Sequence, residues 1–416
     1  VFEAQLHRRR FARSREAHPW ARDGSSSPRE LLATPEMLFS LARVAGAQST
    51  QSLSTSSRAI HSAVAEILPK IERLFPGQKA AHLYVCGGYD GMEDLTTAER
   101  FNPVTGSWEA LPLMSERRSR AGTAVVEGKL YVCGGHNGHT CLDAAERFDP
   151  ATQSWESLPR MTERRTHVAV AAVRGKLYVC GGRHEDVCLN TAECFDPETG
   201  VWESLPPMAE CRCAITAAVV EGVIYACGGH DGAQPLFTAE RFDPEIGHWE
   251  SLPPMSTRRW AVAAAVLGGK FYVCGGFDGT QRLGSAERFD PSSRSWESVF
   301  PMQSRRSAAT AAVAAARLFV CGGFDGDRRL QCVECFDPKI GTWEAQENMS
   351  ECRSAAAAAV VAGKLYICGG FDGERRLCSA ERFDPVSGHW ELLPPMFERR
   401  SRVSSATTCT GDGKWS

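Results

Sequence analysis

An all-β chain built as a closed ring of seven four-stranded sheets is predicted by three observations. First, a block seen in full over residues 275–302, with Gly-Gly-Phe-Asp-Gly, Ser-Ala-Glu-Arg-Phe-Asp-Pro, Trp-Glu and Pro-Met, recurs at one spacing. Gly-Gly pairs begin at Gly87, Gly134, Gly181, Gly228, Gly275, Gly322 and Gly369, and tryptophans fall at Trp108, Trp155, Trp202, Trp249, Trp296, Trp343 and Trp390; both series step by 47 residues. Such a period marks units that cannot bury their apolar faces alone and must stack on neighbours. Second, the apolar runs of each unit are too short for long helices. Third, turn residues separate them: Glu-Gly or Gly-Gly, then Asp-Gly, then Asp-Pro with a glycine, as tight antiparallel connections require. Four-stranded sheets repeated radially make a β-propeller, which removes exposed sheet edges by closing a ring.

The strands of one unit follow in order: residues 121–126, 129–133, 145–148 and a short segment at Trp155. The first unit lacks its first strand, because counting back one period lands on Pro76-Gly77, where proline cannot donate to a ladder. Residues 402–409 follow the seventh unit in the register of a first strand, so they are expected to join residues 82–112 and close the ring. The domain division is therefore 1–79 as an N-terminal extension, 80–410 as the propeller and 411–416 as a tail.

The chain has 416 residues, a length at which two or three ordinary domains would be the prior, but one propeller accounts for it. No apolar run approaches the roughly 18 residues of a membrane helix, and no secretory signal pattern is visible, so a soluble, cytoplasmic or nuclear protein is expected. Seventeen cysteines include one per repeat, at Cys86, Cys133, Cys180, Cys227, Cys274, Cys321 and Cys368. Equivalent positions in neighbouring blades read as small buried thiols rather than disulfides, which fits a reducing compartment.

The extension is electrostatically opposite to the rest: residues 1–79 hold 12 Lys and Arg against 7 Asp and Glu, and the remainder 35 against 43. Arg8, Arg9, Arg10, Arg13 and Arg15 form a basic cluster, read as a solvated disordered arm in preference to a nucleic-acid, membrane or import-receptor contact. An Arg- and Ser-rich start also resembles an organelle transit peptide. Ser27-Pro28-Arg29-Glu30 is a capping box ahead of a short helix near residues 35–45. Ile60, Val64, Ile67, Ile71 and Leu74 recur at helical spacing, interrupted by Pro69, and are expected to dock on the propeller. Val1 is not methionine, so coding sequence is expected upstream.

The Gly pair, the strand-two tyrosine, Glu-Arg-Phe-Asp-Pro and the Trp resemble Kelch repeats over about residues 80–410. The full expectation is an all-β, seven-bladed Kelch β-propeller closed by a C-terminal strand, with a partly disordered, partly helical N-terminal extension. Kelch-like ubiquitin ligase substrate adaptors usually have six blades, so the resemblance carries the fold further than the partner.

Repeated residues divide into packing and candidate binding sets. Tyr84, Tyr131, Tyr178, Tyr225, Tyr272, Phe319 and Tyr366 share a strand face with the repeated cysteines. The tryptophans are expected to fill the wedge between blades, and Glu99, Glu146, Glu193, Glu240, Glu287, Glu334 and Glu381 to accept hydrogen bonds from arginine or backbone groups there. Arg118, Arg165, Arg212, Arg259, Arg306, Arg353 and Arg400 follow each Pro-Met segment in the loop joining blades, and are expected to ring one channel mouth. The loop after each Gly-Gly adds Tyr89, His136, Arg183, His230, Phe277, Phe324 and Phe371 on the same face. Guanidinium groups in a concavity with aromatic neighbours suit carboxylates or phosphates, and an acidic peptide is the expected guest. In Kelch-like adaptors the matching loops contact acidic segments, so the resemblance implies the same of these residues. The competing expectation is that Asp90, Asp231, Asp278, Asp325 and Asp372 neutralise the ring. The unit at Gly181 departs most, with Arg183-His184-Glu185-Asp186 in place of aromatic-Asp-Gly, and is expected to set ligand orientation.

Residues that could carry chemistry read as structural. Cys332 and Cys335 face opposite sides of a strand, Cys211 and Cys213 lack a second ligand pair, and His136, His184 and His230 lack a matching carboxylate. Some seven-bladed Kelch proteins are copper oxidases resembling galactose oxidase, but all tyrosines except Tyr89 occupy the packing position. The reading is a non-catalytic protein-binding module, with no cofactor, metal, small-molecule substrate or nucleic acid, that takes a protein partner with an acidic segment. By resemblance it is a ubiquitin ligase substrate receptor, with cullin as a partner if a BTB region precedes Val1, since 79 residues are too few for BTB and BACK domains. A cytoskeletal Kelch scaffold and a copper oxidase are the alternatives.

Overall fold

The computed structural model describes residues 79–410; the expectations for the basic arm, its two helices and the tail lie outside them. Seven four-stranded antiparallel sheets form the blades. Blade 2 shows the plan, with strands Gly122–Val126, Lys129–Cys133, Ala145–Asp149 and Ser154–Ser157 paired in sequence order. Blades 3 to 7 repeat it one period apart, and their first strands stand side by side around the axis.

Blade 1 is assembled from both ends of the repeat region. Its second, third and fourth strands are Lys79–Cys86, Ala98–Asn102 and Ser107–Ala110, and its first is Ser404–Thr410, which pairs with Lys79–Cys86 in the register Tyr84 to Ala406. The expected closure is therefore present. It hydrogen-bonds two strands that would otherwise be exposed edges.

The core is divided among the seams between blades. Each apolar cluster joins adjacent sheets: Tyr84 and Cys86 of blade 1, for example, pack on Leu130, Val132 and Phe148 of blade 2. The repeated cysteines are buried at these seams, and burial pushes the thiols of Cys86, Cys133, Cys180, Cys227, Cys274, Cys321 and Cys368 up to about 12. Protonated thiols of this kind are inert packing groups. The tryptophans bridge the wedges as expected: Trp155 lies 5.2 Å from the Phe148 ring, and its indole N–H donates to the Pro112 carbonyl of the preceding blade at 2.8 Å. Among the described residues no helix is long and apolar enough to cross a membrane.

Candidate ligand-binding face

Every loop from a second to a third strand meets a loop between blades on one face of the ring. Backbone bonds join them; Ser307 N–H donates to the Phe324 carbonyl at 2.9 Å, and Phe324 N–H returns the bond at 2.8 Å. The two loop classes thus share a face, as expected. Their side chains do not all point there.

The seven arginines expected at the channel mouth are a correction. Arg118, Arg165, Arg212, Arg259, Arg306, Arg353 and Arg400 are at most 1% exposed. Each turns inward and pairs with the repeated glutamate of the next blade, Arg259 with Glu287 at 2.9 Å and Arg400 with Glu99 at 2.7 Å across the closure. The Arg259 Nη1 also donates to the carbonyls of Gly275 and Ser285, at 2.8 and 2.9 Å. The other glutamate oxygen accepts the Ser256 N–H at 2.7 Å. Desolvating a guanidinium is tolerable only when its donors are met in this way, and no donor directed at solvent is left for a ligand. The glycine pair belongs to the same clamp. Gly275 and Gly276 have φ of 66° and 100°, and a Cβ on Gly275 would collide with the Arg306 carbonyl oxygen, to which Gly276 N–H donates at 2.8 Å.

The expected aspartate neutralisation is also absent. Asp278 Oδ1 accepts the N–H groups of Thr280 and Gln281, at 2.7 and 2.8 Å, within its own turn, and Asp90, Asp231, Asp325 and Asp372 do the same in theirs. His136, expected to lack a carboxylate, has Asp94 Oδ2 at 3.3 Å from its Nδ1.

The second expected set does reach the face. Tyr89, His136, Arg183, His230, Phe277, Phe324 and Phe371 are all half-buried there. Between four of them stand arginines that the sequence reading passed over. Arg282 lies 4.1 Å from the Phe277 ring and 5.1 Å from Phe324; Arg329 lies 4.0 and 5.2 Å from Phe324 and Phe371; Arg376 lies 4.0 and 5.3 Å from Phe371 and Tyr89. Arg402 ends the stack, 5.6 Å from Tyr89. Cation and ring therefore alternate along about half the circumference.

A third position, two residues beyond each buried arginine, rims the axis: Arg120, His167, Ala214, Ala261, Ala308, Ala355 and Arg402. All seven have positive φ, between 47° and 54°. This conformation, strained for residues with a Cβ, is held by backbone bonds that pass from blade to blade, such as His167 N–H to the Arg120 carbonyl at 3.0 Å and Ala355 N–H to the Ala308 carbonyl at 2.9 Å. Four alanines leave one arc of the rim open. Arg402, Arg120 and His167 crowd the other.

The electrostatic consequence is visible in the titrating groups. Burial, then the adjacent Arg120 and Arg402, push His167 down to about 3, and its Nδ1 is buried without a hydrogen-bond partner. Burial followed by Arg402 also lowers Arg120 and Arg376 below the ordinary arginine range. Arg120, Arg282, Arg329, Arg376 and Arg402 make no ion pair with any described residue. Arg183 is partly satisfied by Asp186 at 2.6 Å. A cavity of about 270 Å³ lies among Arg120, His136, His167 and Arg183. On the opposite face, a cavity of about 390 Å³ between blades 4 and 5 is lined by Glu221, Arg241, Lys270 and Asp290, and there both cations have partners, Lys270 with Asp290 at 2.6 Å and Arg241 with Glu250 at 2.7 Å.

Matches to the KLHDC2/KLHL20/DRC7 Kelch-repeats domain span residues 54–229, 159–304 and 253–415 in three overlapping stretches. The chain belongs to this Kelch-repeat family. No curated protein matches it by sequence. Its propeller is similar to the solved structure of YjhT, at 16% identity and a TM-score of 0.57, over 68% of this chain and 99% of that one. At that identity the likeness concerns the fold.

Proposed function

We propose that this Kelch propeller is a non-catalytic interaction module whose arginine–aromatic face captures an acidic segment of a protein partner. One observation carries the reading: five half-buried or exposed arginines gather on one face without carboxylate partners, while each repeated buried arginine is paired with a glutamate. An incoming anion would relieve the crowding of Arg402 on Arg120 and Arg376, and the stacked rings hold the guanidinium groups in place for bidentate contact. The four rim alanines leave room for a peptide to approach the Phe277, Phe324 and Phe371 arc. Partner capture of this kind is what a ubiquitin ligase substrate receptor requires, and cullin association is the next step of that reading.

The test is binding of a fluorescent library of acidic, neutral and basic peptides to the full chain. Acidic peptides should bind, with affinity falling as salt rises. Arg329→Ala with Arg376→Ala should cost roughly 2 kcal/mol and flatten the salt dependence, whereas equal binding of basic peptides would remove the basis of the proposal. Copper analysis and actin cosedimentation on the same preparation separate the oxidase and scaffold readings.

A further inference from the structure

Each seam of the binding face brings together three side chains at fixed repeat positions: one seven residues after a Gly-Gly pair begins, and the two bridged loop residues of the next blade. In three seams the trio is Arg, Ser and an aromatic, and the arginine lies over that ring: Arg282 on Phe324, Arg329 on Phe371 and Arg376 on Tyr89. In another it is Asp94, Ser119 and His136, with an ion pair. The fold itself therefore holds these three positions within reach of one another. Between blades 3 and 4 the trio is Cys188, Cys213 and His230.

We propose that Cys188, Cys213 and His230 form a zinc site with one open coordination position. Their ligand atoms all lie within 4.8 Å of one another. Two thiolates and an imidazole match the donor set of open tetrahedral zinc, whose sulfur atoms stand roughly 3.8 Å apart at Zn–S bonds of about 2.3 Å, so only small rotamer shifts are needed. Each donor is fixed by backbone: Cys188 ends a two-residue strand paired with Arg183, and Cys213 and His230 exchange N–H···O bonds of 2.9 and 3.0 Å. The cysteines are 5% and 8% exposed while His230 is half-buried, which leaves the histidine side of the site toward solvent for a water or a partner's donor atom.

A packing role alone does not account for the trio. Cys141 occupies the position of Cys188 one blade earlier, but there the companions are Thr166 and Arg183, which cannot complete a soft donor set. At the position of Cys213, four other seams carry serine: Ser119, Ser307, Ser354 and Ser401. Uptake of Zn²⁺ forms two Zn–S bonds and one Zn–N bond and releases the two thiol protons to solvent. Because each thiol must give up its proton to bind, occupancy strengthens as pH rises. His230 Nδ1 accepts the Gly232 N–H at 3.0 Å. Ligation through either ring nitrogen ends that bond, through Nδ1 by displacement and through Nε2 by moving the proton to Nδ1, so the Gly232 amide reports occupancy. This inference does not depend on peptide binding.

The experiment is titration of the reduced, chelator-stripped full chain with Zn²⁺ against a chromophoric chelator, and with Co²⁺ for thiolate charge-transfer absorption. The expected result is one tight equivalent per chain, a Co²⁺ spectrum of two thiolates, and a displaced Gly232 resonance. Cys188→Ser and Cys213→Ser should each abolish that equivalent, and Cys141→Ser should keep it. Cys213→Ser installs the residue other seams already carry, so its apo melting curve should match that of the parent. Absence of a tight equivalent, its retention in both seam variants, or a Cys188–Cys213 disulfide in place of metal would each overturn the proposal.

Discussion

Two sets of arginines occupy the loops of one face of this ring and behave oppositely. Arg259 and its six equivalents occur in every unit and are buried against glutamate, whereas Arg282, Arg329 and Arg376 occur in three units, and Arg120 and Arg402 in two, without acidic partners. A residue every blade needs is one that every seam uses. A residue that only some blades carry is free to serve something outside the ring. In a repeat protein, strict repetition therefore marks the scaffold, and departure from it marks the surface on which specificity depends.

The comparison can be broken at several levels. The largest effect is expected from removing residues 402–416, which takes away the strand paired with Lys79–Cys86 and exposes two sheet edges. Loss of the cooperative melting transition, or aggregation, should follow, and an unchanged melting curve would show that the closure is dispensable. Next comes Arg259→Ala, which strands Glu287 in a seam where it is 2% exposed. A loss of about 3–5 kcal/mol in denaturant unfolding is expected, with peptide affinity per folded molecule unchanged.

Arg376→Ala should do the reverse. Its guanidinium touches rings and no carboxylate, so stability should fall by about 1 kcal/mol while acidic-peptide binding weakens and loses salt dependence. Equal effects of Arg259→Ala and Arg376→Ala on binding and stability would erase the distinction between the sets.

The smallest effect concerns pH. His167 is held down to about 3 in the folded ring, from an ordinary value of 6.5, first by burial and then by Arg120 and Arg402. Between those values the unfolded chain binds a proton that the folded chain refuses, so stability falls as pH drops below about 6.5. His167→Ala, which installs the residue of four other rim positions, should flatten the melting temperature profile over that interval.

Much of the fold was legible in the sequence because a propeller seam is built from repeated local contacts. The Gly pair, the buried cysteine, the Trp and the Glu each recur at one spacing, and the missing first strand of blade 1 identified its own substitute at residues 404–410. The alternation of loops was legible too, and placed Phe277, Phe324 and Phe371 on the correct face. The direction of a side chain within a loop was not. Arg259 and Ala261 are two residues apart, yet one points into the seam and the other rims the axis, because the positive φ of Ala261 turns the chain between them.

The period thus determined the number of blades, the strand order and the closure, since each follows from local patterning repeated without a slip. Tertiary structure alone decided which cations are spent inside the scaffold and which stay without a carboxylate partner, and brought Cys188, Cys213 and His230 together from separate loops. The physical reason is common to both. Whether a charge or a thiol is satisfied depends on groups contributed by the neighbouring blade, and that distance is set by the closed ring rather than by any stretch of chain.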